Sequence, residues 1–283
     1  MRFVSYSSCG VEGVGLRAND GYHGLSVEAL GADLKGHLAD AGGLARLAET
    51  LAAAPPLDPS AITLLPPVPR PDKILCVGLN YADHSVESGF TPPDYPTVFA
   101  RFASSLVGAG APLVRPNASE MFDYEAELVV VIGRGGRHIR EADALAHVAG
   151  YSLGNDGSVR DYQKKSPQWT MGKNWDASGA FGPELVTPDE LPEGCRGLQL
   201  TMHVNGIELQ RGSTDDMIFD VATLIATLSE VMTLAPGDVI FSGTPAGVGQ
   251  ARTPPRWLQP GDECVVALDG LGRLANPVVQ EGA

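Results

Sequence analysis

The hydrophobic pattern along the chain changes period several times, and each change marks an element. Phe3 to Tyr6 and Val11 to Leu16 read as short strands. GLARLAETLAAA (43–54) places Leu44, Leu47 and Leu51 on one side of a helix. Prolines at 55, 56, 59, 66, 67, 69 and 71 then describe a semi-extended linker. KILCVGL (73–79), TVFARF (97–102), AELVVVIG (126–133) and AGYSLGN (149–155) read as buried strands. LQLTMHV (198–204) turns Leu198, Leu200, Met202 and Val204 inward, and Asn205-Gly206 supplies a hairpin turn toward Ile207 and Leu209. DVIFSG (238–243) and CVVAL (264–268) follow Pro-Gly-Asp turns at 236–238 and 260–262, which read as strand entries. FDVATLIATLSEVM (219–232), apolar at Val221, Leu224, Ile225, Leu228 and Met232, predicts a helix, and EADALAHV (141–148) a shorter one.

Many strands between glycine and proline turns, with few helices, predict a mainly β chain of the α+β class, an antiparallel roll or sandwich. A boundary near residue 68 divides a small N-terminal α/β domain, 1–67, from a catalytic body, 68–283. The chain has 283 residues and 43% hydrophobic content, enough for one large core or two modest ones. No run approaches the roughly 20 apolar residues of a membrane span, and MRFVSYSSCG lacks the layout of a signal peptide. Cys9, Cys76, Cys195 and Cys264 have no paired spacing and read as small buried residues in a reducing compartment, which points to the cytoplasm. A net charge of −14 argues against nucleic-acid binding. An anionic substrate stays open, because a bound metal or a local cationic cluster reverses the field nearby.

Candidate chemistry starts at DYEAELVVVIG (123–133). Period two puts Asp123, Glu125 and Glu127 on one face, neighbouring α-carbons roughly 6–7 Å apart. Solvated acids at a strand end are one reading; oxygen ligands of a hard cation are the other. Asp156, in a Gly-Asn-Asp-Gly turn, is ordinary turn chemistry taken alone and a third ligand taken with the pair. With no soft ligand nearby, Mg²⁺ or Mn²⁺ suits this set better than Zn²⁺. His84 and Glu87 touch if they share a helical turn, either as a surface pair or as a carboxylate-oriented base that activates water. Gly89, Pro92 and Pro93 suggest a loop that orders over a ligand. Arg160, Gln163 and Lys173 follow Asp156 closely; Lys173 is a partner for a substrate carboxylate, whereas Lys164 and Lys165 read as solvent-facing charges. Neither GTPAGVG (243–249) nor GRGGRH (133–138) has the Gly-Lys-Ser/Thr ending of a phosphate loop.

KILCVGLNYADH, DYEAELVVVIG, AGYSLGNDGSVRDYQ, GKNWD with GAFGP, and PGDVIFSGTPAGVG together resemble the fumarylacetoacetate hydrolase family, from residue 73 to about 277. The resemblance implies a mixed β-roll body, usually a homodimer, with one Mg²⁺ or Mn²⁺ held by Glu125, Glu127 and Asp156. It also implies that His84 and Glu87 form a water-activating pair on a lid and that Lys173 lies near the metal. Arg160 and Gln163 become substrate contacts, and Thr244 holds a substrate carboxylate. Arg101 stands where many relatives carry lysine; its planar fork implies a different distal group on the substrate.

The implied reaction is cleavage of a C–C bond in a β-dicarbonyl 2-oxo acid such as an acylpyruvate or fumarylpyruvate, through a metal-stabilised enolate. Oxaloacetate decarboxylation, hydroxy-diene-dioate isomerisation, diketo-deoxy sugar acid hydrolysis and ureidoglycolate cleavage use related chemistry and stay open. So does a keto-acid binding protein without turnover, against which the complete triad and the intact His–Glu pair argue.

Overall fold

Alternate residues of the strand Ala126–Ile132 enter two different cores, which explains its unbroken apolar run. Leu128, Val130 and Ile132 join a large cluster with Leu200, Met202, Leu224, Ile225 and Val266. Val129 and Val131 join a second, with Phe3, Leu47, Leu51 and Phe241. A strand buried on both faces needs apolar residues at every position. The computed structural model describes residues 1–87, 91 and 93–283.

That strand lies inside an eleven-stranded sheet whose path runs Gly21–Ser26, Val11–Ala18, Arg2–Ser8, Gly179–Val186, Val148–Asn155, Ala126–Ile132, Val239–Phe241, Ile74–Gly78 and Thr97–Arg101. Thr63–Leu65 pairs with Arg2–Ser8, so the proline-rich passage contributes a short strand within its extended course. The sheet is continuous across residue 68: Arg2 and Phe3 pair with Val186 and Leu185. A five-stranded sheet, in the order Ile207–Ser213, Gln199–Val204, Glu263–Leu268, Gly272–Gln280 and Leu113–Arg115, packs over the first cluster. Asn205 and Gly206 both take positive φ (53° and 77°) in its first hairpin, the geometry that an Asn-Gly turn favours.

Four readings need correction. The sheets are mixed, not antiparallel throughout. Val239–Phe241 runs parallel to Ile74–Gly78, Gly179–Val186 to Leu106–Val107, and Gly272–Gln280 to Leu113–Arg115. Parallel pairing needs a long crossover and leaves no local signature. Thr97–Arg101 is not a buried strand but a half-exposed edge of the large sheet. Glu141–His147 is a 3₁₀ helix rather than an α-helix. Finally, Cys9 is exposed, while the other three cysteines are buried. The longer helix spans Val221–Val231; Asp220 caps it by accepting from the Thr223 N–H, and Val221, Leu224, Ile225 and Leu228 are buried. Among the described residues, no helix is long and apolar enough to cross a membrane.

Candidate functional site

Glu125 and Glu127 sit at the entry of the Ala126–Ile132 strand, and Asp156 just beyond the end of Val148–Asn155, its antiparallel neighbour. Adjacent strand ends therefore bring the three carboxylates together. One oxygen from each lies within 4.8 Å of the others, and all three residues are buried. Backbone bonds fix the arrangement: Asp156 N–H donates to the Glu125 carbonyl, and Glu125 N–H donates to Asn155 Oδ1 at 3.0 Å.

Three buried acids so close cannot share a dry site without compensation. Lys173 donates to Glu125 Oε2 at 2.8 Å and to Asp156 Oδ2 at 2.6 Å. Arg160 Nη2 lies 2.7 Å from Glu125 Oε1. Burial pushes the Glu125 carboxyl up, but Lys173, Arg160 and His84 outweigh it and hold it down at about 2. Burial likewise opposes the charge on Lys173, yet Asp156 and Glu125 keep its ammonium above the ordinary lysine range. Among the described residues no cation lies this close to Glu127; its Oε2 accepts the Gly243 N–H at 2.7 Å. Burial and the charges of Asp156 and Glu125 push its carboxyl well above the usual range. A site of three hard oxygen donors, one of them undercompensated, fits a divalent cation of the Mg²⁺ or Mn²⁺ kind.

A cavity of about 480 Å³ opens over this cluster, lined also by His84, Glu87, Arg160, Gln163 and Thr244. His84 and Glu87 lie on the short helix Ala82–Glu87, with His84 Nδ1 3.5 Å from Glu87 Oε2, longer than a hydrogen bond. Glu87 accepts the Gly247 N–H through both oxygens, at 2.9 and 3.0 Å. Of the expected covering loop, Gly89 and Pro92 lie outside the described residues. Thr244 Oγ1 accepts from Gln210 Nε2 at 2.8 Å, which leaves the threonine's own proton free to donate.

Two expected contacts stand behind the cavity wall. Lys173 is one, screened by the carboxylates that it pairs. Arg101, expected at the substrate's distal end, is the other: its guanidinium is buried among Asp156, Ser105, Ser178 and the Gly157 carbonyl. It neutralises the outer side of Asp156, where a buried carboxylate needs a partner. Asp123 stays out of the triad. Its carboxylate accepts from Arg160 Nε at 2.8 Å and from the N–H groups of Gly249 and Gln250.

Several residues that build the site escape reading from spacing alone. GTPAGVG, dismissed as a phosphate loop, is a cradle for the protein's own acids. Its N–H groups serve Glu127 from Gly243, Glu87 from Gly247 and Asp123 from Gly249. Gly247 takes φ +104°, and an added Cβ would stand 2.2 Å from the Leu209 carbonyl oxygen, so only glycine fits. Gln210, buried, ties Thr244 and the Pro245 carbonyl to Ala126 N–H on the strand that carries Glu127. The only hint of it in the sequence is a polar residue on a strand that closes on the site.

A family model described as fumarylacetoacetate hydrolase C-terminal matches residues 73–279. The human protein named oxaloacetate tautomerase FAHD2A, mitochondrial, is 45% identical over 230 residues, 81% of this chain and 73% of that protein. A probable 2-hydroxyhepta-2,4-diene-1,7-dioate isomerase from Mycobacterium abscessus superposes with a TM-score of 0.79 at 29% identity, covering 100% of both chains. Maleylpyruvate hydrolase from Sphingobium sp. SYK-6, solved with manganese(II) and pyruvate, gives 0.82 at 28% identity over 99% of each chain.

Proposed function

The chain belongs to the fumarylacetoacetate hydrolase family, and from that premise we propose that it is a divalent-metal-dependent enzyme that moves a proton at the carbon beside the ketone of a 2-oxo acid. The observation that carries this is the convergence of the carboxylate triad and the His84–Glu87 pair on one cavity. A divalent ion held by Glu125, Glu127 and Asp156 would supply Lewis-acid stabilisation for negative charge on the 2-oxo oxygen. Lys173 and Arg160 add positive charge beside it. Thr244, its oxygen engaged by Gln210, turns its hydroxyl proton toward a substrate carboxylate. His84 takes the carbon-bound proton and returns it to oxygen or to a remote carbon, and Glu87, fixed by the glycine loop and 3.5 Å from His84 Nδ1, places a negative charge beside the imidazolium that forms. The outcome is a keto–enol or double-bond isomerisation, a reading supported by the tautomerase and isomerase names of the relatives.

Hydrolysis of a C–C bond in a β-dicarbonyl 2-oxo acid is the second reading. The same His84–Glu87 pair can deprotonate water, and the manganese–pyruvate complex of the maleylpyruvate hydrolase supports it. The two separate in one assay. A panel of 2-oxo acids with Mn²⁺ or EDTA is followed for enol absorbance, CO₂ and pyruvate; isomerisation changes only the first. Replacing His84→Asn is expected to lower turnover about 10²–10⁴-fold while Mn²⁺ and oxalate binding stay as in the parent. If ion binding is lost together with turnover, His84 does not have the role given to it.

A further inference from the structure

Arg160–Gln163 is a single helical turn, and the Lys164 N–H closes it on the Arg160 carbonyl at 3.1 Å. Arg160 is buried against Glu125, so Lys164 stands one turn, about 6 Å, farther out on the same side. The cavity runs between them, from the buried carboxylates to an exposed Lys164 in its wall. Among the described residues no hydrogen bond or ion pair engages that ammonium. Beside it, Gln163 spends its Oε1 on Arg160 Nη1, which leaves its amide N–H groups unused. The acids in the wall are all engaged: three form the cation cluster, and Glu87 accepts from Gly247.

An outer wall holding an ammonium and, beside it, the amide N–H groups of Gln163, neither engaged among the described residues, suits an anion. We propose that Lys164, with Gln163, forms a subsite for the remote carboxylate of a 2-oxo diacid. Lys164 thereby determines specificity for chains long enough to reach from the cation cluster to the rim. This rests on the proposed binding of a 2-oxo acid at the triad and adds the length and charge of its far end.

The test titrates Mn²⁺-loaded protein calorimetrically with oxalate, 2-oxohexanoate and 2-oxohexanedioate. Oxalate reports the cation cluster alone; the other two differ only in the terminal carboxylate. The parent is expected to bind the diacid about fivefold more tightly than the monoacid, as for a partly exposed ion pair, and less so as salt is raised. Lys164→Met should erase that preference and Lys164→Glu should reverse it, with oxalate binding unchanged in both. Equal binding of the two acids by the parent, or a preference that survives in Lys164→Met, overturns the subsite. If oxalate itself does not bind, the 2-oxo acid reading fails first, and the subsite with it.

Discussion

Glu127→Gln is expected to abolish Mn²⁺-dependent stabilisation and to lower turnover by about 10³-fold or more, because the ion's contribution is several kcal/mol and each 1.4 kcal/mol is about a factor of ten. The fold should not suffer. Burial and the neighbouring charges of Asp156 and Glu125 push the Glu127 carboxyl well above the usual range, which favours its neutral form in the metal-free protein. An amide of the same shape can still accept the Gly243 N–H, and stability in EDTA should stay within about 1 kcal/mol of the parent. The sign of the pH dependence follows. A cation competes with the proton that burial favours on Glu127, so Mn²⁺ affinity rises with pH and binding releases protons. Calorimetry in buffers of different ionisation enthalpy measures the release. Undiminished Mn²⁺ binding by the variant would remove Glu127 from the site.

Lys173→Met should have the opposite signature, a loss of stability that metal repairs. Lys173 is 1% exposed and its ammonium lies between Glu125 and Asp156. Removing one partner of a buried ionic cluster costs about 3–5 kcal/mol, since the remaining charges stay buried without it. Urea unfolding in EDTA should show that loss. Saturating Mn²⁺ should recover part of it, because an ion that binds only the folded chain stabilises it by mass action. Equal stability of parent and variant in EDTA would mean that Lys173 does not neutralise the cluster.

What the sequence disclosed was local. Period two along 123–127 put two carboxylates on one face, and an Asp in a turn supplied the third candidate. Three-residue spacing put His84 beside Glu87, and Asn205-Gly206 set a hairpin. What it concealed depends on segments far apart in the chain. The parallel pairing of Val239–Phe241 with Ile74–Gly78 has no periodic mark. The resemblance places Arg101 at the substrate's distal end; the structure sets its guanidinium against Asp156, 55 positions away, a contact that no local pattern announces. The glycine loop was judged by the ligand that it could not hold, yet the acids it cradles lie more than 100 residues upstream. Lys164 was read as an ordinary exposed charge. It is exposed, but the cavity that gives the exposure meaning forms only when the strand ends assemble.

The central claim, a divalent ion among three strand-end carboxylates, is tested most directly by anomalous diffraction from crystals grown with Mn²⁺ and oxalate. One manganese peak at bonding distance from Glu125, Glu127 and Asp156, with oxalate completing its coordination, is the expected result. Manganese found elsewhere, with Glu125 and Asp156 still closed on Lys173, would contradict it.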